Sequence, residues 1–490
     1  MQRILPAQHD WPLHDVAASR LMEQQAQAGL PTHTLMQRAG MAVAALTRAL
    51  HPHARKVWIA CGPGNNGGDG LDAAIHLRAA GWSVELSLLC DPARLPADAA
   101  DAHARARSAG VAIGGNPHPT HAPDVAIDAV LGLGGRRGPT GELAALIDNL
   151  NALDCPVLAV DLPSGLNADT GQPHGKACVV ADHTLSLLTL KPGLFTGAGR
   201  DHSGEVWFDP LEVTPQRTSI RLSGSPALHP SRRHAQHKGS FGDVAVVGGA
   251  AGMAGAALLA ARAAHAAGAG RVYVDVLDST LTSFDAGRPE LMLRHGWSHT
   301  ASAESATVVA GCGGGAAIRQ ALPRLLSTAG RLVLDADALN AVAADPALAA
   351  LLTARSPRQR ETVLTPHPLE AARLLGTDTA SVQADRVAAA RQLSQRFGCV
   401  IVLKGSGSVI AGLNGDLWIN GTGNAALGSA GTGDVLAGWI GGCWSASGSS
   451  ALDAARHATW LHGLAAERSQ ASPLRAADLI DAMHSAAPRR

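Results

Sequence analysis

The chain has 490 residues, more than one ordinary core accommodates, so two or three domains are expected. Lysines plus arginines and aspartates plus glutamates number 40 each, which excludes the basic excess of a non-specific nucleic-acid binder. Hydrophobic residues make up 46% and aromatics only 3%, so cores packed from alanine, valine and leucine are expected. The cysteines Cys61, Cys90, Cys155, Cys178, Cys312, Cys399 and Cys443 are scattered without a C-x-x-C pair. That spacing argues against zinc and against a disulfide framework, and fits a reducing compartment. Met1 to Asp15 carry no apolar run of the kind a secretory leader needs, so a cytoplasmic location is expected.

In chain order, Gln8 to Leu50 reads as helix, with Leu35, Met36, Ala39, Val43 and Leu46 at helical spacing. Lys56 to Cys61 reads as a short strand, followed by the loop Gly62-Pro63-Gly64-Asn65-Asn66-Gly67-Gly68-Asp69-Gly70. A helix from Leu71 to Ala80 and a strand from Val84 to Leu89 complete a βαβ unit, which implies a parallel sheet. Strands from Val125 to Leu131 and from Val157 to Asp161 each lead from a carboxylate into Gly or Pro-Ser-Gly. Ligands of open α/β sheets bind at the carboxyl ends of strands. Turn residues between about Glu212 and Arg233 read as a linker. The pattern then restarts with strands at Gly242 to Val247, Val272 to Val276, Thr307 to Ala310, Leu332 to Asp335 and Val400 to Leu403. The Ala-rich stretch from Gly248 to Gly270 is interrupted by Arg262 and His265, so it reads as a soluble helix and not a membrane span. Two tandem doubly wound α/β domains are expected.

The second half concentrates its candidates at strand ends. Gly431-Thr432-Gly433-Asp434 runs into an apolar, helix-like stretch, which aims free N–H groups at an anion and sets a carboxylate beside it as a general base. A tight turn with Asp434 as N-cap is the plainer alternative. Lys404-Gly405-Ser406-Gly407-Ser408 suits phosphate oxygens, or is a hairpin turn. Thr365-Pro366-His367-Pro368 holds His367 in a rigid turn or an ordinary surface loop. Asp335 and Asp337 stand where a strand stops, to hold a cation through water or to cap the next helix. Gly311-Cys312-Gly313-Gly314-Gly315 is a further glycine loop.

Taken in order, His237 to Gly242, Val246-Val247-Gly248-Gly249 with Gly255-Ala256, Thr365 to Pro368, Lys404-Gly405 and Gly431 to Asp434 resemble the ADP/ATP-dependent NAD(P)H-hydrate dehydratase family, a branch of the ribokinase-like fold. The resemblance runs from about His234 to the C-terminus. It implies nucleotide contacts at Lys404, Gly405, Ser406, Gly407, Ser408 and Gly433, and hydrated-nicotinamide contacts at Ala256, Gly313, His367 and Asp434. Where the family usually reads Gly-Pro-Gly-Leu-Gly, this chain has Cys312 and Gly314 in place of the Pro and the Leu. Met253-Ala254 stands where an aromatic often precedes Gly255-Ala256.

In the first half, the Asn/Gly loop leaves room for a ligand but lacks the dinucleotide G-x-G-x-x-G spacing. Asp128 closes a strand before Gly132 to Gly138, where Arg136 and Arg137 are phosphate partners or surface charges. Asp161 and Lys191 form an acid–base pair for moving a proton at one carbon, or a salt bridge between strand ends. With Leu35-Met36-Gln37-Arg38-Ala39-Gly40, this half resembles NAD(P)H-hydrate epimerase, a Rossmann-like domain. That resemblance implies potassium at Asn66, Asp128 and Ser164. It implies substrate contacts at Asn65, Asn66, Gly67, Gly68, Asp69, Gly132, Leu133, Gly134, Gly135, Arg136, Arg137, Gly138 and Asp161. The Gly-Thr-Gly common in the family after the Asp128 strand is Gly132-Leu133-Gly134 here.

The whole chain resembles the bifunctional NAD(P)H-hydrate repair enzymes. The expected layout is an epimerase domain over 1–218, a linker over 219–233 and a dehydratase domain over 234–490. The first interconverts R and S hydrates through Asp161 and Lys191. The second dehydrates the S form with Asp434 as base, ADP as phosphoryl donor and Mg2+ bridging its phosphates. Expected partners are NADHX, NADPHX and ADP, with no nucleic acid, no membrane and a homo-oligomeric assembly. A kinase of a small hydroxylated metabolite fits the second half's motifs equally, since fold does not fix function. A binding or regulatory protein with one silent half is the third reading.

Overall fold

The computed structural model describes residues 1–135, 137–226, 233–280, 285–469, 471 and 473–487. The chain divides into two compact units, one of Met1–Leu5 with Trp11–Arg221, the other of Pro6–Asp10 with Leu222–Arg490.

The first unit contains β1 (Gln2–Arg3), β2 (Trp11–Leu13), β3 (Lys56–Cys61), β4 (Ser83–Leu88), β5 (Ala112–Gly114), β6 (Val125–Ala129), β7 (Val157–Val160), β8 (His183–Leu187) and β9 (Glu205–Asp209). Its sheet runs β1-β9-β8-β7-β6-β3-β4-β5. Neighbours are parallel except at the β1–β9 edge. The strand order reverses direction between β3 and β6, so their carboxyl ends open the crevice where doubly wound sheets bind ligands. Nearly every residue of β3, β6 and β7 is buried, as strands covered on both faces require.

Two helical expectations need correction here. The stretch from Gln8 to Leu50 is not one helix but β2 followed by helices Val16–Ala28 and Thr34–Leu50. Gly29 caps the first helix and His33, at φ +65°, precedes the second, so the periodic residues lie on two separate rods. The second correction concerns the glycine loop, most of which is helical. Helix Asn65–Ala79 begins at Asn65 with Gly64 as its N-cap. A Cβ on Gly67 would sit 2.1 Å from the Gly62 carbonyl oxygen, and one on Gly70 would sit 2.6 Å from the Ala129 Cβ. These glycines serve the close approach of helix to sheet.

Strand β10 (Ile220–Ser223) spans the boundary between the units. The second unit contains β11 (Asp243–Gly248), β12 (Arg271–Val276), β13 (Met292–Leu293), β14 (Thr307–Ala310), β15 (Arg331–Leu334), β16 (Thr362–Leu364), β17 (Val400–Leu403), β18 (Val409–Ala411) and β19 (Leu417–Asn420). They lie in the order β13-β12-β11-β14-β15-β16-β17-β18-β19. Pairing is parallel as far as β17 and antiparallel from β17 to β19. The Ala-rich helix Ala254–Ala266 packs against helix Thr432–Ser447, where a Cβ on Gly438 would fall 2.0 Å from the Ala260 carbonyl oxygen. Small residues on both helices let their backbones meet, and buried Trp439 and Trp444 fill the remaining volume.

Asp10, from the short N-terminal segment of this unit, accepts from Arg456 at 2.7 Å, from the Trp418 indole at 2.9 Å and from the Gly224 N–H at 2.9 Å. Arg456 also lies over the Trp418 ring, 4.5 Å from its centroid.

Candidate functional site

In the second unit, parallel strand ends deliver the candidate residues to one place. Asp335 follows β15 and is 2% exposed. Its Oδ1 accepts from Lys404 Nζ at 2.6 Å and from Thr365 Oγ1 at 2.8 Å. Lys404 follows β17, and its N–H donates to the Pro366 carbonyl at 2.9 Å, which ties it to the turn carrying His367. Gly431, at φ +89°, is the N-cap of helix Thr432–Ser447, and Asp434 lies in the first turn. Asp434 is therefore not the N-cap that the plainer reading supposed. The left-handed backbone needed there falls to the glycine, which leaves the carboxylate one turn-edge further in. A Cβ on Gly433 would lie 3.3 Å from Lys404 Nζ, so the bare backbone faces the ammonium.

Burial pushes the Asp434 carboxyl up to about 6 and Asp335 pushes it the same way, while a hydrogen bond from Cys312 and the charge of Lys404 pull it down. Burial works against the Lys404 charge, but Asp335 and Glu370 outweigh it and the ammonium is held above its ordinary value. The outcome is a carboxylate with appreciable basicity beside a committed cation, a setting for proton removal next to an anionic group.

Gly313 and Ala256 also converge, since a Cβ on Gly313 would be 2.9 Å from the Ala256 Cβ. The Ala250 N–H donates to the Gly313 carbonyl at 2.7 Å and fixes that turn. His367 is exposed and begins helix Pro368–Leu375 in a capping box with Glu370. Burial lowers its imidazole, with Lys404 adding to the effect. Gly405, Ser406, Gly407 and Ser408 connect β17 to the antiparallel β18, so this loop does have hairpin form. Asp337 accepts from the Gly315 N–H at 2.8 Å, and neither it nor Asp335 makes a side-chain cap on the following helix.

Sequence reasoning passed over two supports of this site. Glu370, buried and pushed up to about 7 mainly by burial, accepts from the His367 N–H at 2.8 Å. Its signal is the His-Pro-x-Glu spacing of a capping box. His462, from helix Ala451–Arg468, meets the Thr432 carbonyl at 3.0 Å beneath the Gly-Thr-Gly-Asp turn. No local sequence signal marks it.

In the first unit, a cavity of about 490 Å³ opens at the switch point. Asn65, Asn66, Asp69, Gly132, Leu133, Gly134, Gly135 and Asp161 line it. Gly67 and Gly68 face the packing side of their helix, and Gly138 abuts the His174 carbonyl oxygen, 2.8 Å from where its Cβ would be. Arg137 is exposed, and Arg136 lies outside the described residues. Arg20, Glu23, Gln27 and Asp98, which no motif announced, also line the cavity. Burial raises the Glu23 carboxyl, followed by the influence of Asp161. Burial likewise raises Asp69 well above the ordinary carboxylate range, with Asp161 adding to it.

Asp161 has φ +66°, a left-handed conformation costly to most residues but tolerated by aspartate. Lys191 is fully buried behind it, and its Nζ donates to Asp161 Oδ1 and, at 2.9 Å, to the Leu187 carbonyl. Asp161 thus faces the cavity with a buried ammonium at its back. Asp128 and Ser164 are fully buried and directly bonded, with the Ser164 hydroxyl donating at 2.6 Å and its N–H at 2.8 Å. Burial pushes Asp128 up to about 6 against these hydrogen bonds. A Cβ on Gly132 would be 3.1 Å from Asn66 Oδ1, and the buried Asn66 amide nitrogen has no hydrogen-bond partner.

Among the described residues, no helix is long and apolar enough to cross a membrane. A family model described as NAD(P)H-hydrate dehydratase matches residues 244–488, and one described as YjeF-related protein N-terminus matches residues 32–193. The bifunctional NAD(P)H-hydrate repair enzyme of Escherichia coli (strain K12) is 39% identical over 456 residues, 90% of this chain and 85% of its own. That of Vibrio cholerae serotype O1 is 36% identical over 487 residues, 95% of either chain. A crystallised ADP/ATP-dependent NAD(P)H-hydrate dehydratase from Bacillus subtilis is similar over 53% of this chain and 93% of its own, at 31% identity and a TM-score of 0.44. With both halves matched and identity sustained along nearly the whole length, the chain belongs to the family of bifunctional NAD(P)H-hydrate repair enzymes.

Proposed function

We propose that this chain repairs hydrated NADH and NADPH, epimerising the R and S hydrates in its first unit and dehydrating the S hydrate in its second at the expense of ADP. Asp434 takes the proton of the substrate hydroxyl as that oxygen attacks the terminal phosphorus of ADP. The N–H groups from Gly431 to Asp434 and the Lys404 ammonium offset charge on the phosphoryl group in transfer. Elimination of phosphate then restores the reduced nicotinamide, with AMP as the other product. Ala256, Gly313 and His367 hold the hydrated ring, and Lys404 to Ser408 with Gly433 hold the nucleotide. The observation that carries this reading is the meeting of Asp434 and Lys404 around Asp335 at a glycine-built helix N-terminus. Mg2+ supplies charge neutralisation between the phosphates when bound.

In the first unit, Asp161 assists the proton transfers that accompany inversion of the hydroxyl-bearing carbon, and Lys191 pairs with Asp161 and holds it in place. Potassium would be held by Asn66, Asp128 and Ser164. The all-oxygen donor set suits a hard cation, and the buried, destabilised Asp128 charge supports the fit. Its contribution would be to steady the Gly132 turn that lines the cavity. A cytoplasmic, homo-oligomeric enzyme acting on small molecules only is part of the same proposal.

The test mixes the purified chain with both hydrate isomers, ADP, Mg2+ and K+, and follows recovery of the near-ultraviolet absorbance of reduced nicotinamide. Recovery from both isomers faster than spontaneous epimerisation is expected. Recovery from S alone would remove the epimerase, and no recovery would remove the repair reading altogether.

A further inference from the structure

Cys312, Asp335 and Asp434 reach one point from three separate segments, the turn after β14, the end of β15 and the first turn of helix Thr432–Ser447. Their donor atoms, one sulfur and two carboxylate oxygens, all lie within 4.8 Å of one another. No other trio of histidine, cysteine and acidic side chains converges this way among the described residues. In a tetrahedral zinc site, thiolate and carboxylate donors stand about 3.6 Å apart, so closure by roughly 1 Å completes the geometry.

The carboxylate of Asp335 is arranged to allow this. Lys404 and Thr365 both donate to its Oδ1, and Oδ2 takes no hydrogen bond. A Cβ on Gly433 would be 4.0 Å from that Oδ2, which places it on the side of the Asp434 turn. Cys312 is fully buried and Asp434 only partly so, which leaves the fourth position toward solvent.

Charge favours the same occupant. A thiolate and two carboxylates carry three negative charges, and a divalent ion with the Lys404 ammonium carries three positive ones. A buried cluster is tolerable when it is neutral and paired. Sulfur selects thiophilic ions over magnesium.

We propose that Cys312, Asp335 and Asp434 form a site for a thiophilic divalent cation, with zinc strongly preferred to magnesium, whose binding silences the dehydratase by engaging Asp434. The Cys312 S–H bond gives its proton to solvent and an S–metal bond replaces it, with no change of oxidation state. The silencing rests on the role given to Asp434 under Proposed function, whereas the binding does not. The cysteine spacing that argued against zinc concerned local motifs, and this trio is drawn from positions far apart in sequence.

The experiment titrates the metal-free full chain with Co2+ and reads the thiolate-to-cobalt charge-transfer band, then displaces it with Zn2+ against a chromophoric chelator. One equivalent with that band is expected. Cys312→Ala, and Cys312→Pro with the family's usual residue, should lose the band and bind zinc about 100-fold more weakly. No band in the unaltered chain, or a band surviving in both variants, overturns the site. In parallel, zinc under excess Mg2+ should slow dehydration by the unaltered chain and leave each Cys312 variant close to its own zinc-free rate. A lost band with undiminished dehydration under zinc would overturn the silencing alone. A chain that never dehydrates the hydrate would remove the functional reading, with the site still decided by the cobalt band.

Discussion

His462 ties the acid stability of the second unit to the turn that carries Asp434. The ring is 8% exposed and held down to about 4 from an ordinary 6.5, chiefly by burial. At neutral pH it is uncharged, and because a carbonyl can only accept, Nε2 carries the hydrogen given to Thr432. In the unfolded chain the imidazole takes up a proton near 6.5, and in the folded chain only near 4. The folded value is the lower one, so the stabilisation is complete above about 6.5 and is lost as pH falls toward 4. At about 1.4 kcal/mol per pH unit, the loss comes to about 3 kcal/mol. His462→Gln keeps a neutral donor near the Nε2 position and removes the titration. The assay is urea unfolding at pH 7 and at pH 4, followed by the fluorescence of the buried tryptophans. The unaltered second unit should lose about 3 kcal/mol more than the variant between the two pH values. Taking the difference between the two proteins cancels Asp434 and Glu370, which titrate over the same range. Equal losses in both would refute the argument, because the histidine would then ionise as readily folded as unfolded.

Other expectations bear on the chemistry and the packing. Asp434→Ala should slow dehydration about 100-fold or more while leaving epimerisation intact, and wild-type-like dehydration would rule out its role as base. Asp161→Ala should stop consumption of a mixed substrate at its S fraction, and complete consumption beyond the spontaneous epimerisation rate would show the carboxylate to be dispensable. Lys191→Met removes the buried partner of Asp161 and should destabilise the first unit by about 3 kcal/mol in thermal or urea unfolding, whereas an unchanged transition would mean the ion pair is idle. Gly67→Ala forces a Cβ to within 2.1 Å of the Gly62 carbonyl oxygen. It should cost about 1–3 kcal/mol and raise the epimerase KM by displacing Asn65 and Asn66, and a neutral effect on both would contradict the packing.

Much of this was legible because chemistry at a parallel sheet collects where strands stop. Asp335, Lys404 and the Gly-Thr-Gly-Asp turn each follow a short apolar run or begin a helix, so one-dimensional reading finds them. Their mutual arrangement is not so legible. Nothing local says that Lys404 chooses Asp335, or that Cys312 stands over Asp434, because those pairings depend on strand order. The Asn/Gly stretch was misread as a loop because glycine ordinarily disfavours helix. There the absence of side chains serves contact with the sheet, and tertiary packing overrides propensity. His462 was invisible because its one partner is a backbone carbonyl thirty residues earlier.

Asp10 carries a consequence for how this polypeptide can be divided. It belongs to the second unit, yet nearly the entire first unit separates it from the rest of that unit in sequence. A break in the coding frame near residue 221 would put Asp10 on the wrong fragment. The C-terminal fragment would then lack the carboxylate that accepts from Arg456, the Trp418 indole and the Gly224 amide. Two catalytic halves that look separable on a linear map therefore share a covalent dependence. Splitting the chain into two independent proteins would cost the second the ion pair and the hydrogen bonds that Asp10 supplies.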